Sequence, residues 1–168
     1  MPSGRTHDRI TWLSAPLAIG TALVLSADWQ AALACGSAYV FSGLMFGGDL
    51  DIHSVQYLRW GPVRWIWLPY RRLMSHRSPL SHGLVIGTVG RLLYLMLVVG
   101  LCTAAIAWVG HWKLHPEGLY PWIRTHWLLL TWIALGLEAG ALSHSLSDWI
   151  GSRIKRFQKR RYARRGQR

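Results

Sequence analysis

His144 and Asp148 stand four residues apart at the end of an apolar block, so on a helix both side chains project from one face and can grip a single ion. Asp49-Leu50-Asp51 follows Gly47 and Gly48, which puts two carboxylates on a flexible turn where both can reach one ion or bridge two. His76 and His82 flank Ser78-Pro79, a helix-breaking pair, and so lie in a loop leading into a further apolar block. His7 and Asp8 precede the first apolar block. Any one of these pairs reads equally well as a capping or surface interaction, but their joint placement is harder to explain that way. The chain has only 7 acids, and Asp8, Asp49, Asp51 and Asp148 all fall at block ends shared with His7, His53, His76, His82 and His144. Mixed imidazole and carboxylate donors suit a divalent metal, zinc or manganese or iron, as one or two ions.

The elements that must position these groups are apolar. Four blocks stand out, at 12–27, 31–48, 84–110 and 127–142, each approaching the roughly 20 residues of a spanning helix. The sequence therefore predicts an all-α polytopic membrane protein with about four transmembrane or membrane-embedded helices. Asp28, Trp29 and Gln30 alone join the first two, which makes a tight helical hairpin; each is short unless the first begins a turn earlier, at Asp8 to Ile10, or the hairpin is partly re-entrant. A hydrophobic fraction of 51% beside a net charge of +12 requires apolar and basic residues to be segregated, and 11 Trp and 6 Tyr fit a hydrocarbon–headgroup boundary.

Lys and Arg near helix ends resist translocation, and their distribution gives an orientation. Arg5 and Arg9 precede the first block; Arg59, Arg64, Arg71, Arg72 and Arg77 lie between the second and third; nine basic residues follow Ile150. The 28–30 link has none, and the 111–125 loop has only Lys113 and Arg124. Four spans with both termini cytoplasmic satisfy these counts, and the expected location is a multi-pass position in the cell inner membrane. This argument uses only basic residues, yet it places the acids and histidines at the same cytoplasmic ends. Arg91 is expected to snorkel back to the headgroups. Residues 1–150 then form a helical membrane domain, and 151–168 a basic cytoplasmic tail. Following a span directly, that tail is expected to contact anionic membrane lipids; nucleic acid is not favoured, because no nucleic-acid-binding pattern is visible. The aromatic and proline-bearing stretch 60–70 suits an interfacial segment lying on the membrane.

Other polar groups carry less. Cys35 and Cys102 lie in apolar stretches and are expected to pack as small buried hydrophobes. Glu138 is open between a partner of a ligand, a proton-relay group and a structural acid. His111, His115 and His126 fall at the opposite face and are expected to be exposed or interfacial.

The set Thr6-His7-Asp8, Asp49-Leu50-Asp51, His76-Arg77 with Ser81-His82, and His144-Ser145-Leu146-Ser147-Asp148 resembles the uncharacterised bacterial metal-binding membrane proteins. It is similar also to the related inner-membrane-associated metal-dependent hydrolases, including the LexA-binding ones. The resemblance runs in order to about residue 150, and it implies an α-helical membrane domain with a hydrolase activity. One departure is Gly48, where the hydrolase branch commonly has Pro before the acidic pair.

The leading expectation is thus a metal-dependent hydrolase of a phosphoester, a lipid phosphate or headgroup, at the cytoplasmic membrane surface. His7, Asp49, Asp51, His76, His82, His144 and Asp148 are the candidate ligands. Arg77 would stabilise charge on a phosphate, and Asp8 would orient His7 or act as a base. The alternative is a non-catalytic metal-binding scaffold or sensor with a coordinatively closed site. A transporter ranks last, because polar groups gathered at one face provide no path across.

Overall fold

The computed structural model describes residues 4–75 and 78–165, and among these it contains helices and turns but no strand. The helices are α1 (Gly4–Ser26), α2 (Trp29–Met45), α3 (Val55–Leu58), α4 (Leu68–Leu73), α5 (Pro79–His82), α6 (Ile86–Val109), α7 (Leu119–Thr125) and α8 (Trp127–Arg165). Four helical segments are long and apolar enough to cross a membrane: Gly4–Ser26, Trp29–Asp51, Ile86–Val109 and Trp127–Phe157. The four-span expectation holds in length and composition.

The α1–α2 hairpin closes where Ala27 takes a positive φ of 51° and the Asp28 carboxylate accepts the Gln30 N–H at 2.8 Å, capping α2. Helix α2 is the central element. It presents small residues on both sides, and α1 and α8 pack against it at backbone range. A side chain at Gly136 would run into the Cys35 carbonyl, and one at Gly140 would lie 2.8 Å from Ser42 Cβ. On the other side, a Cβ at Gly43 would stand 2.6 Å from the Thr11 side chain. Such close approach lets the backbones of neighbouring helices pack directly on one another. Outward faces stay apolar and exposed, as at Leu13, Val24 and Trp108.

Below the inter-helix loops sits an aromatic core of Phe46, Leu50, Tyr57, Trp67 and Tyr70, with Tyr94 of α6 packed against it. Trp67 meets Phe46 edge-on at 5.8 Å and Tyr70 at 5.6 Å. The stretch 60–70, expected to lie on the membrane, has one exposed face and one face in the core. Trp65 and Val63 are exposed, but Trp67 and Tyr70 are fully buried, because a compact 3-10 turn at Gly61–Trp67 folds the stretch back onto Phe46. Arg91 also departs from expectation. It does not snorkel outward but is 1% exposed, donating to the Ser81 carbonyl at 2.6 Å and to Thr88 Oγ1 at 3.1 Å. Thr88 lies one turn back on α6 and Ser81 on α5, so the guanidinium is bonded within the protein. Cys35 is buried as expected; Cys102 is exposed, because α6 packs mainly through its first turns. Helix α8 runs unbroken past residue 150 to Arg165, with the Arg153 guanidinium 4.0 Å over the Trp149 ring.

Candidate metal centre

One end of the bundle gathers His7 from α1, Asp49 from the 3-10 turn Gly48–Asp51, His82 from α5, and His144 and Asp148 from α8. The i, i+4 spacing on α8 places His144 Nε2 and Asp148 Oδ2 4.0 Å apart. His7 Nε2 approaches Asp148 Oδ1 at 3.2 Å, and the His7 and His144 rings lie 4.2 Å apart. Asp49 spans two imidazoles, with Oδ2 at 3.2 Å from His144 Nε2 and Oδ1 at 3.5 Å from His82 Nε2. Two trios result, His7–His144–Asp148 and Asp49–His82–Asp148, each offering ligand atoms within 4.8 Å of one another. Asp148 belongs to both.

The orientation of His7 is fixed by hydrogen-bond arithmetic. Ser147 Oγ donates its one proton to the His144 carbonyl at 2.8 Å, so toward His7 Nδ1, at 2.6 Å, it must accept. Nδ1 therefore carries the proton and Nε2 presents a lone pair toward Asp148. His144 Nε2, Asp49 Oδ1 and Asp148 Oδ1 are buried and make no hydrogen bond, although each lies beside an imidazole or carboxylate atom of the site. Buried imidazole and carboxylate atoms that converge without hydrogen-bond partners are what a cation would satisfy, so this donor set fits a divalent metal.

Partners hold the remaining ligands. Gln56 lies beside His144 Nδ1 at 3.4 Å while its amide donates to the Gly43 carbonyl at 3.0 Å. Ser81 Oγ sits 2.9 Å from His82 Nδ1. Gly48, the departure noted in the sequence, now has a reason: a Cβ there would stand 2.9 Å from the His82 ring. Ser147 entered the sequence reading only inside the His144–Asp148 motif, with no role, and Gln56 not at all. Ser147 had a legible signal, since it shares a helical face with His144 one turn back; Gln56 had none.

Other expected ligands and helpers are placed differently. Asp51 is buried and joins neither trio; its Oδ2 lies 3.9 Å from His82 Nδ1, on the side of the ring away from Asp49. Beneath it, burial pushes the Tyr70 phenol above its ordinary value, opposed by Arg91 and aided by Asp51. Asp8 does not orient His7. It faces Arg59, whose Nη1 donates to Asp8 Oδ1 at 2.9 Å and to the Leu44 carbonyl at 2.9 Å. His53 reaches the mouth of the site but packs its ring near Tyr57, at 5.6 Å. His76 and Arg77 lie outside the described residues. His111, His115 and His126 sit away from the site, and all three are at or near the surface. Glu138 accepts the Val85 N–H at 2.8 Å and thereby ties the loop after His82 to α8.

His7, Asp49, His144 and Asp148 line a cavity of ≈ 250 Å³, with Asp8, His53 and Arg59 on its outer wall. Fold and site together define an all-helical metal-binding protein. The chain belongs to the family described as Uncharacterized metal-binding protein (DUF2227), whose model matches residues 2–158. No curated protein and no solved structure matches it.

Proposed function

We propose that the protein is a divalent-metal-dependent phosphoester hydrolase of the cell inner membrane, its site on the cytoplasmic side with both termini. The observation that carries this reading is the pair of ligand trios sharing Asp148, four of whose five residues, His7, Asp49, His144 and Asp148, line a cavity with room for a small anion. His7, His144 and Asp148 would hold one ion, and Asp49, His82 and Asp148 a second, with zinc, manganese or iron compatible with such donors. A bound ion would lower the pKa of a water and polarise a phosphoryl oxygen. The chain's own part is to fix the imidazoles, through Ser147, Gln56 and Ser81, so that little reorganisation accompanies reaction. In the reaction water adds to phosphorus, the ester P–O bond breaks, and the leaving alcohol takes the proton that water loses.

Membrane location is supported by the four apolar helices and by basic residues grouped at the ends that carry the ligands. Resemblance to inner-membrane-associated metal-dependent hydrolases points the same way. The basic segment after residue 150 would rest on anionic lipid. A ligand set opening on a cavity favours catalysis over a closed scaffold or sensor site.

The test is metal analysis of the purified protein and of its His144→Ala and Asp49→Ala variants, beside a panel of phosphoesters. The expected result is bound metal and turnover in the parent and loss of both in each variant. Stoichiometric metal with no turnover on any phosphoester would leave the scaffold reading in its place.

A further inference from the structure

A second concavity lies between α1 and α2, ≈ 600 Å³ in volume and almost wholly apolar, walled by Trp12, Pro16, Ile19, Val40 and Phe41. It runs toward the metal-bearing end of the hairpin, where Leu44 and Met45 complete it. From Gly36 to Met45 it follows α2 for about 13 Å, at 1.5 Å per residue. The metal cavity alone, at ≈ 250 Å³, falls below the roughly 300–1,000 Å³ typical of small-molecule sites. It has room for a headgroup and little else.

Arg59 joins the two spaces. Its guanidinium bonds the carbonyl of Leu44, which lines the groove, and the carboxylate of Asp8, which lines the metal cavity. With its second bond to Asp8 these interactions occupy three of a guanidinium's five N–H donors. Two further donors remain on a side chain that is 30% exposed. Arg59 is the only cation among the described residues lining the metal cavity, whose other charged walls are acidic. A planar fork of donors at the seam between an apolar groove and a metal site suits a phosphate that carries a hydrocarbon chain.

We propose that the α1–α2 groove seats an acyl chain of a membrane lipid whose phosphate rests on Arg59, which presents its phosphoester to the metal cavity. This rests on the hydrolase reading for the use of the site, but the binding site itself stands on the groove and on Arg59. Free phosphate esters share the headgroup chemistry and lack the chain. The groove is what distinguishes them.

The protein, in nanodiscs of phosphatidylcholine, is titrated with dioctanoyl phosphatidic acid, with glycerol phosphate, and with dioctanoylglycerol, and turnover is followed in parallel. Dioctanoyl phosphatidic acid should bind tightest. Ser37→Trp, at an exposed position on the groove wall, should weaken that lipid by about tenfold or more and leave glycerol phosphate binding as it was. Arg59→Ala should weaken both phosphate ligands by about tenfold or more, the scale of a lost charge-assisted bond, but not dioctanoylglycerol. Arg59→Lys, which retains the charge without the fork, should fall between. Equal binding of glycerol phosphate and phosphatidic acid, or indifference of the lipid to Ser37→Trp, overturns the proposal even if soluble phosphoesters are turned over. Lipid binding that depends on both residues without any turnover upholds the groove and removes the hydrolase.

Discussion

Ser147 and His7 are 140 residues apart in sequence and share a hydrogen bond of 2.6 Å. The serine's proton goes to the His144 carbonyl, so this contact decides which nitrogen of His7 faces the carboxylate of Asp148. A hydroxyl that touches no candidate ion thus sets the geometry of one side of the site.

Ser147→Ala should therefore weaken metal binding by about 10–100-fold, the range found when a partner that orients a ligating histidine is lost. Thermal stability without metal should change little. Calorimetric metal titration of the two proteins checks this, and equal affinities would show that packing alone orients His7.

Sharing of Asp148 predicts unequal losses among the ligands. Asp148→Asn removes a charge from both trios, whereas His82→Ala leaves His7, His144 and Asp148 in place. Metal content per chain should fall to near zero in the first variant and only in part in the second. Equal loss in the two would mean that a single ion draws on all five residues at once.

Helix α8 comes close to α2 at Gly140, as at Gly136, because the residue has no side chain. A Cβ there would lie 2.8 Å from Ser42 Cβ and 3.0 Å from the Gly43 nitrogen, and neither atom sits at the end of a flexible chain. Gly140→Ala should cost about 1–3 kcal/mol, the usual range for overpacking a tight contact. It should also lower metal affinity, because His144 is one turn further along the same helix. Unfolding in detergent, followed with and without metal, measures both effects.

Val85 carries a positive φ of 62° with ψ −54°, and Ile86 N–H bonds the Leu84 carbonyl at 2.6 Å, the geometry of a strained γ-turn centred on a β-branched residue. Its N–H is held by Glu138. Relief of strain worth on the order of 1–3 kcal/mol, less the entropy cost of glycine, should make Val85→Gly about 1 kcal/mol more stable. Glu138→Ala should be destabilising and should loosen His82, with a larger loss of metal affinity than Glu138→Gln. Melting temperatures and metal titrations of the three variants test this.

The chemistry of the site was legible in the residues themselves. So few acids, set with histidines at the ends of apolar blocks, already marked a candidate set that contains the five residues the structure gathers, and the helical repeat joined His144 to Asp148. Apolar block lengths likewise revealed the four long helices, because apolar runs approaching about 20 residues have the length and composition of a helix that could span a membrane. Direction was not legible. Asp8 adjoins His7 in sequence yet turns to Arg59, Asp51 adjoins Asp49 yet stands behind His82, and Arg91 bonds inward. Packing of the Gly48–Asp51 turn and of α6 against α5 decides Asp51 and Arg91, and the rotation of α1 and α8 about α2 decides Asp8. That rotation is fixed by contacts at Gly43, Gly136 and Gly140, and no local pattern around the acids or histidines encodes it. The sequence by itself determined the donor types, their common end and the helices that bear them. Tertiary packing alone decided that Asp148 serves two trios, because that requires side chains from four separate segments to aim at the same few ångströms.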